Sequence, residues 1–235
     1  MKRYYKIAGL SVKMDSFGKT EEQARAYECE PCEVPDIEVI SVWPKIKEEY
    51  PMYTEDIGEY LTTGAVFYTH LLKFDGTMLH SSAVVVDGKA YLFTADSGTG
   101  KSTHTKLWLD LFGDRAFILN DDKPALRRED GVWYAYGTPW SGKHDISVDA
   151  RIPVAGIACI QRGEQNEITP FGGIEAIHAI LKQVNRPKAA GCREKLLELM
   201  DKLLTEVPVW KLCCNMDPEA AVVSYEAMSG EKWRK

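Results

Sequence analysis

No apolar run in the 235 residues approaches the roughly 18 that a membrane-crossing helix needs. The opening MKRYYKIAGLSVKMDS also lacks the long apolar stretch of an export signal. These absences lead us to expect a cytoplasmic chain with no membrane partner. Positive charge is not in excess either: the formal net charge is -6, which opposes wide contact with DNA or RNA, whose phosphates it would repel. There is no internal repeat, low-complexity run or long linker. Cysteines number only six, and without an export signal they read as reduced thiols. Cys29 with Cys32 and Cys213 with Cys214 could in principle hold zinc. Adjacent cysteines rarely turn both sulfurs to one tetrahedral ion, so we read them as ordinary thiols.

What is present is an ordinary globular composition, 45% apolar and 27% charged. Residues 4–12 and 35–43 read as strands joined by a polar, acidic link. Apolar spacing predicts a helix over 58–74 that stops at Asp75-Gly76. MLHSSAVVVDGKAYLFTAD predicts two strands around a tight turn at Asp87-Gly88, and ALRREDGVWYAYG repeats that pattern at Asp130-Gly131. A glycine-rich turn, a helix over 101–112 and the short strand AFILN follow the first hairpin. VAGIACIQRG reads as a strand buried on both faces. Helices are expected at 173–184, 192–204 and 218–228, with VPVWKLCC as a strand before the last. The fold class is therefore α/β with a mixed sheet containing hairpins. The economical division is an accessory segment, 1–57, and one main domain, 58–235.

The stretch YLFTADSGTGKSTHTKLW places small polar residues directly behind a β-prone run. Phosphate needs donors that can come close, and Asp96, Ser97, Gly98, Thr99, Gly100 and Thr103 leave backbone N–H groups accessible. The helix that follows adds a positive N-terminal field, Lys101 adds a full charge, and the Ser102 hydroxyl can ligate Mg²⁺. The usual spacing is G-x-x-x-x-G-K-[ST]; here Ala95 stands at the first glycine, while the strand-loop-helix context is kept. The competing reading is a surface turn that happens to contain GKS.

Asp121 and Asp122 end the next strand, at the sheet edge expected to carry the loop. One carboxylate can hold Mg²⁺ and the other can accept a proton from an attacking hydroxyl. A pair of strand-capping aspartates is the plainer alternative. His80 precedes the hairpin and is a candidate for the same site. GTPWSGKHD collects Trp140, Lys143, His144 and Asp145 in a turn-rich segment, either a substrate-contacting loop or simply a polar one. Arg162, at another strand end, could clamp phosphate or a carboxylate.

Taken together, LHSSAVVV, ADSGTGKST, LNDD and GTPWSGKHD resemble the HPr kinase and phosphoenolpyruvate-carboxykinase-like group, in particular short relatives of HPr serine kinase. The resemblance runs from about Leu79 to the C-terminus. It implies a carboxykinase-type nucleotide fold, a magnesium nucleotide such as ATP, and phosphoryl transfer to a hydroxyl on a small molecule, peptide or protein. It also implies Asp121 as general base, Asp122 and Ser102 near the metal, and His80 close to the reacting phosphate. Relatives often form homo-oligomers. The extended signature by which HPr kinases contact HPr is not found, nor is a carboxykinase manganese-ligand set. The alternatives are a phosphorylase or hydrolase on the same fold and a non-catalytic nucleotide sensor.

Overall fold

The computed structural model describes residues 3–234; residues 1, 2 and 235, at the ends of the 1–57 and 58–235 division, lie outside it. Every second residue is buried at the end of β1 (Arg3–Ile7) and along β2 (Leu10–Met14), so one face of this pair is apolar. The single strand expected over 4–12 is thus a hairpin. Its turn, Ala8-Gly9, has φ of 51° and 77°, the geometry of a two-residue hairpin turn. Ala8 is apolar and buried, and nothing polar marks the bend.

α1 (Gly18–Ala24) follows, then β3 (Ile37–Val39), which pairs parallel to β2. The strand expected over 35–43 is cut short because Pro44 sits in the first turn of α2 (Trp43–Ile46), where its fixed φ suits a helix start. α3 (Glu55–Leu71) is capped by Thr54, whose hydroxyl accepts from the Ile57 N–H, and it carries Glu55 and Asp56 in its first turn. The boundary drawn at 57 therefore falls inside this helix. Tyr5, Val12 and Ile37 share one core with Phe67, Tyr68 and Trp140. α1 is tied to α3 where the Thr20 hydroxyl donates to the fully buried Glu59 carboxyl, whose pKa burial pushes up to about 7.

The main sheet contains β4 (Gly76–Met78), β5 (Ser81–Val86), β6 (Lys89–Thr94), β7 (Ala116–Asn120), β8 (Ala125–Glu129) and β9 (Val132–Tyr136). It is completed by β10 (Arg151–Arg162), β11 (Glu167–Pro170) and β12 (Val209–Cys214). The strand order is β4-β8-β9-β10-β6-β5-β7, with β12 between β10 and β11. Ala83 and Val85 of β5, Leu92 of β6 and Ile157 of β10 point to one face. They pack with residues of α5 (Gly173–Leu181) and α6 (Ala190–Glu206). Val84, Val86, Phe93 and Ala158 point to the other face, with α4 (Lys101–Phe112) and α7 (Glu219–Ser229). Burial on both faces explains the unbroken apolar runs.

The ladders also decide where the chemistry lies. β6 is parallel to β10, and β5 is antiparallel to both β6 and β7. The carboxyl ends of β6, β7 and β10 thus share one edge, which carries the glycine loop, Asp121-Asp122 and Arg162.

Beneath that edge, His104 of α4 is 3% exposed, and its Nε2 lies 3.0 Å from the Ser224 hydroxyl of α7. Burial lowers its pKa from 6.5 to about 4. The unfolded chain therefore binds the proton first, and stability falls as pH drops from about 6.5 towards 4. In urea titrations at pH 7 and pH 5, the protein is expected to lose about 2 kcal/mol more than His104→Gln. Equal losses in the two proteins would remove this histidine from the acid response.

Candidate active site

The glycine loop is held open from behind. Gly98 and Gly100 have φ of 77° and 128°, which side-chain-bearing residues rarely adopt, and a Cβ on either would meet nothing within 4 Å. Arg162 fastens the carbonyls: its Nη2 donates to Gly98 O at 2.6 Å and its Nε to Thr99 O at 3.1 Å. In a trans peptide the N–H runs opposite to the C=O, so the Gly100 N–H points away from this guanidinium. Helix α4 begins at Lys101, where the first N–H groups have no carbonyl within the helix to bond. Lys101 is 9% exposed and its Nζ donates to Ala95 O at 3.0 Å. Burial lowers its pKa, with Asp122, Asp121 and Asp96 pulling the other way. The expectation that Arg162 clamps a ligand is thus met by a different contact: the side chain shapes the loop. If the loop holds a nucleotide, Arg162→Met is expected to weaken its binding about tenfold in calorimetry, since two hydrogen bonds from a charged group that shape the loop are lost.

Across the loop, Asp121 accepts from the Ser102 hydroxyl at 3.0 Å and from the Ser82 hydroxyl at 2.6 Å. Ser82 comes from the neighbouring strand β5 and was not among the residues singled out from sequence. Asp122 points elsewhere. Its Oδ1 lies 3.2 Å from His80 Nε2 and its Oδ2 contacts the Lys123 ammonium. Burial opposes its ionisation, but the His80 hydrogen bond and the Lys123 charge outweigh that and hold its pKa at about 2.

His80 is fixed in turn by Gln183, whose Oε1 lies 3.0 Å from Nδ1, while the Gln183 amide donates to Asp96 Oδ1. Both ring nitrogens therefore face oxygens, and the imidazole can donate at either. A chain Asp96–Gln183–His80–Asp122 joins the loop to the second aspartate. Gln183 lies just beyond α5, and no local pattern in the sequence points to it.

The hollow between loop and carboxylates has a volume of 480 Å³, and Lys101, Ser102, Asp121 and Asp122 all line it. His80, Lys143 and His144 line it too, so these expected residues converge. Gly142 closes one side with φ of 79°, and a Cβ there would sit 2.9 Å from that of Asp122. Trp140 does not belong to this wall. It is 0% exposed, stacks on Phe67 at 4.9 Å and donates from Nε1 to the Thr63 hydroxyl. It anchors the loop in the core shared with β1 and β2 and offers nothing to a substrate. Arg162 lines two further hollows on the other flank of the glycine loop, of 610 and 420 Å³.

Ser102 and Asp121 present hard oxygen atoms 3.0 Å apart beside the loop, a donor pair that suits Mg²⁺. Among the described residues no group of three or more His, Cys, Asp or Glu side chains is arranged to hold a metal. Mg²⁺ commonly takes its remaining ligands from phosphate and water, and the pair fits that habit.

No family model and no curated protein matches the chain. Among solved structures, the Hpr(Ser) kinase/phosphatase from Coxiella burnetii is similar, with a TM-score of 0.37 and 11% identity. The similarity covers 65% of this chain and 95% of that one. So distant a likeness carries no argument about activity, and the functional reading rests on the site's own residues.

Proposed function

We propose that the protein is a kinase that moves the terminal phosphoryl group of a magnesium nucleotide, such as ATP, to an acceptor hydroxyl. One observation carries the reading. A glycine-rich strand-to-helix loop with Lys101 and Ser102 faces two adjacent carboxylates across one hollow, and each carboxylate has its own partners. A sensor needs only the loop, so the second, histidine-bound aspartate favours transfer. The motifs that resemble the HPr-kinase-related group support a phosphoenolpyruvate carboxykinase-like fold in the same reading.

The hydrogen bonds favour exchanging the roles expected from sequence. Asp121, bound to Ser102, belongs with the metal; Asp122, bound to His80, belongs with the acceptor. Bound Mg²⁺ would neutralise charge on the phosphate oxygens. Lys101 and the N–H groups at the start of α4 hold the terminal phosphates and stabilise charge as it spreads. Asp122 accepts a hydrogen bond from the acceptor hydroxyl and orients its oxygen. As that oxygen bonds to phosphorus, the bond from phosphorus to the nucleoside diphosphate breaks and the hydroxyl proton passes to Asp122. With a pKa near 2, Asp122 is a weak base, so the proton moves late, as suits a loose phosphoryl-transfer transition state.

The experiment is incubation with γ-labelled ATP and a panel of hydroxyl compounds, reading label in the acceptor. Orthophosphate released from a phosphorylated compound in the absence of nucleotide would instead indicate a phosphorylase or hydrolase.

A further inference from the structure

Next to the proposed acceptor-facing carboxylate lies a cluster of basic and aromatic groups supplied largely by the N-terminal part of the chain. Lys19 of α1 holds its Nζ 4.4 Å from the ring centroid of Tyr60 on α3, and Lys123 holds its own 5.4 Å from the same centroid. Tyr60 is itself positioned against the hollow, since its hydroxyl accepts from the Gly142 N–H at 2.9 Å. The Gly142 carbonyl accepts from Gln23 Nε2 of α1 at 3.0 Å. Between them, α1 and α3, which carry Lys19 and Tyr60, grip both polar backbone groups of a residue lining the hollow. Lys123 extends the cluster to the carboxylate itself by contacting Asp122.

Lys123 shares Asp122 with His80, and among the described residues no carboxylate lies within ion-pair distance of Lys19. Asp122, Asp145 and Asp56 are near enough to act on Lys19 through space, but burial and the like charge of Lys123 outweigh them and lower its pKa. Two ammonium groups over one ring, one of them half-buried with no carboxylate in direct contact, are an arrangement that a bound anion would complete.

We propose that Lys19, Lys123 and Tyr60 form an acceptor subsite for an anionic group, a carboxylate or a phosphate, carried close to the hydroxyl that is phosphorylated. This rests on the kinase reading and narrows its acceptor to a hydroxy acid or a hydroxylated phosphate ester. A neutral polyol would leave the Lys19 charge unanswered.

The test is calorimetric binding of glycerate, glycerol 3-phosphate and glycerol to the wild type, Lys19→Gln and Lys19→Arg. We expect at least one charged probe to bind more tightly than glycerol, Lys19→Gln to weaken it about ten- to hundredfold, and Lys19→Arg to stay within about threefold. Which charged probe binds identifies the anion. If neither binds at millimolar concentration, or if glycerol binds equally well, the subsite is refuted. Unchanged affinity in Lys19→Gln also refutes it, since phosphate held by the glycine loop alone would not sense Lys19. Binding is read without turnover, so a protein that never transfers phosphate would sink the kinase reading while leaving this result to stand or fall separately.

Discussion

Lys101→Ala is expected to lower phosphoryl transfer by about two to three decades, the scale on which a single preorganised charge-stabilising donor acts. The side chain is 9% exposed and lies at the first residue of α4, so its ammonium acts where water screens it poorly. Its Nζ now donates to Ala95 O, a neutral acceptor that anionic phosphate oxygens can replace with a stronger hydrogen bond. Alanine is a strong helix former and keeps the helix start while removing the ammonium, its buried stem and the bond to Ala95 O, so circular dichroism should be little altered while labelled transfer falls. Near-normal turnover in this variant would end the assignment of the loop as a phosphate cradle.

The second large effect concerns the two aspartates, and it separates their roles. Asp122→Asn keeps the shape beside His80 and Gly142 but removes the charge that attracts the acceptor proton. The expected result is a kcat lower by about two to four decades, the range for a positioned acid or base. Nucleotide affinity should stay within about threefold, because the residues that hold phosphate are untouched. Asp121→Asn should instead raise the Mg²⁺ concentration needed for half-maximal nucleotide binding, since its carboxylate is joined to Ser102 at 3.0 Å. If the two phenotypes came out exchanged, the roles expected from sequence would be restored and those drawn from the hydrogen bonds rejected.

Local rules made much of the glycine-loop side of this site visible in the sequence. Asp87-Gly88 and Asp130-Gly131 adopt positive φ throughout, as two-residue hairpins require, and α4 occupies the expected span, Lys101–Phe112. The aspartates do end β7, and the ladder directions bring that end beside the loop. What stayed hidden was set by partners distant in the chain. Gln183 reaches His80 across 103 positions, and Tyr60 reaches Gly142 across 82. Trp140 departs from the loop role expected because Pro139, Ser141 and Gly142 look like an exposed turn. The indole is nevertheless buried, since its one polar atom finds the Thr63 hydroxyl and Gly64 leaves room on α3. Nor could spacing say which aspartate meets Ser102, because neighbouring residues leave a strand in different directions.

The two halves of the hollow are supported by different cores. The groups proposed to handle phosphate rest on the layers around β5, β6 and β10, whereas Lys19, Tyr60 and the Gly142 loop rest on the aromatic cluster beneath β1 and β2. Under the proposed kinase reading, substitutions among the first sixty residues would change what the acceptor side recognises while leaving the core beneath the glycine loop untouched.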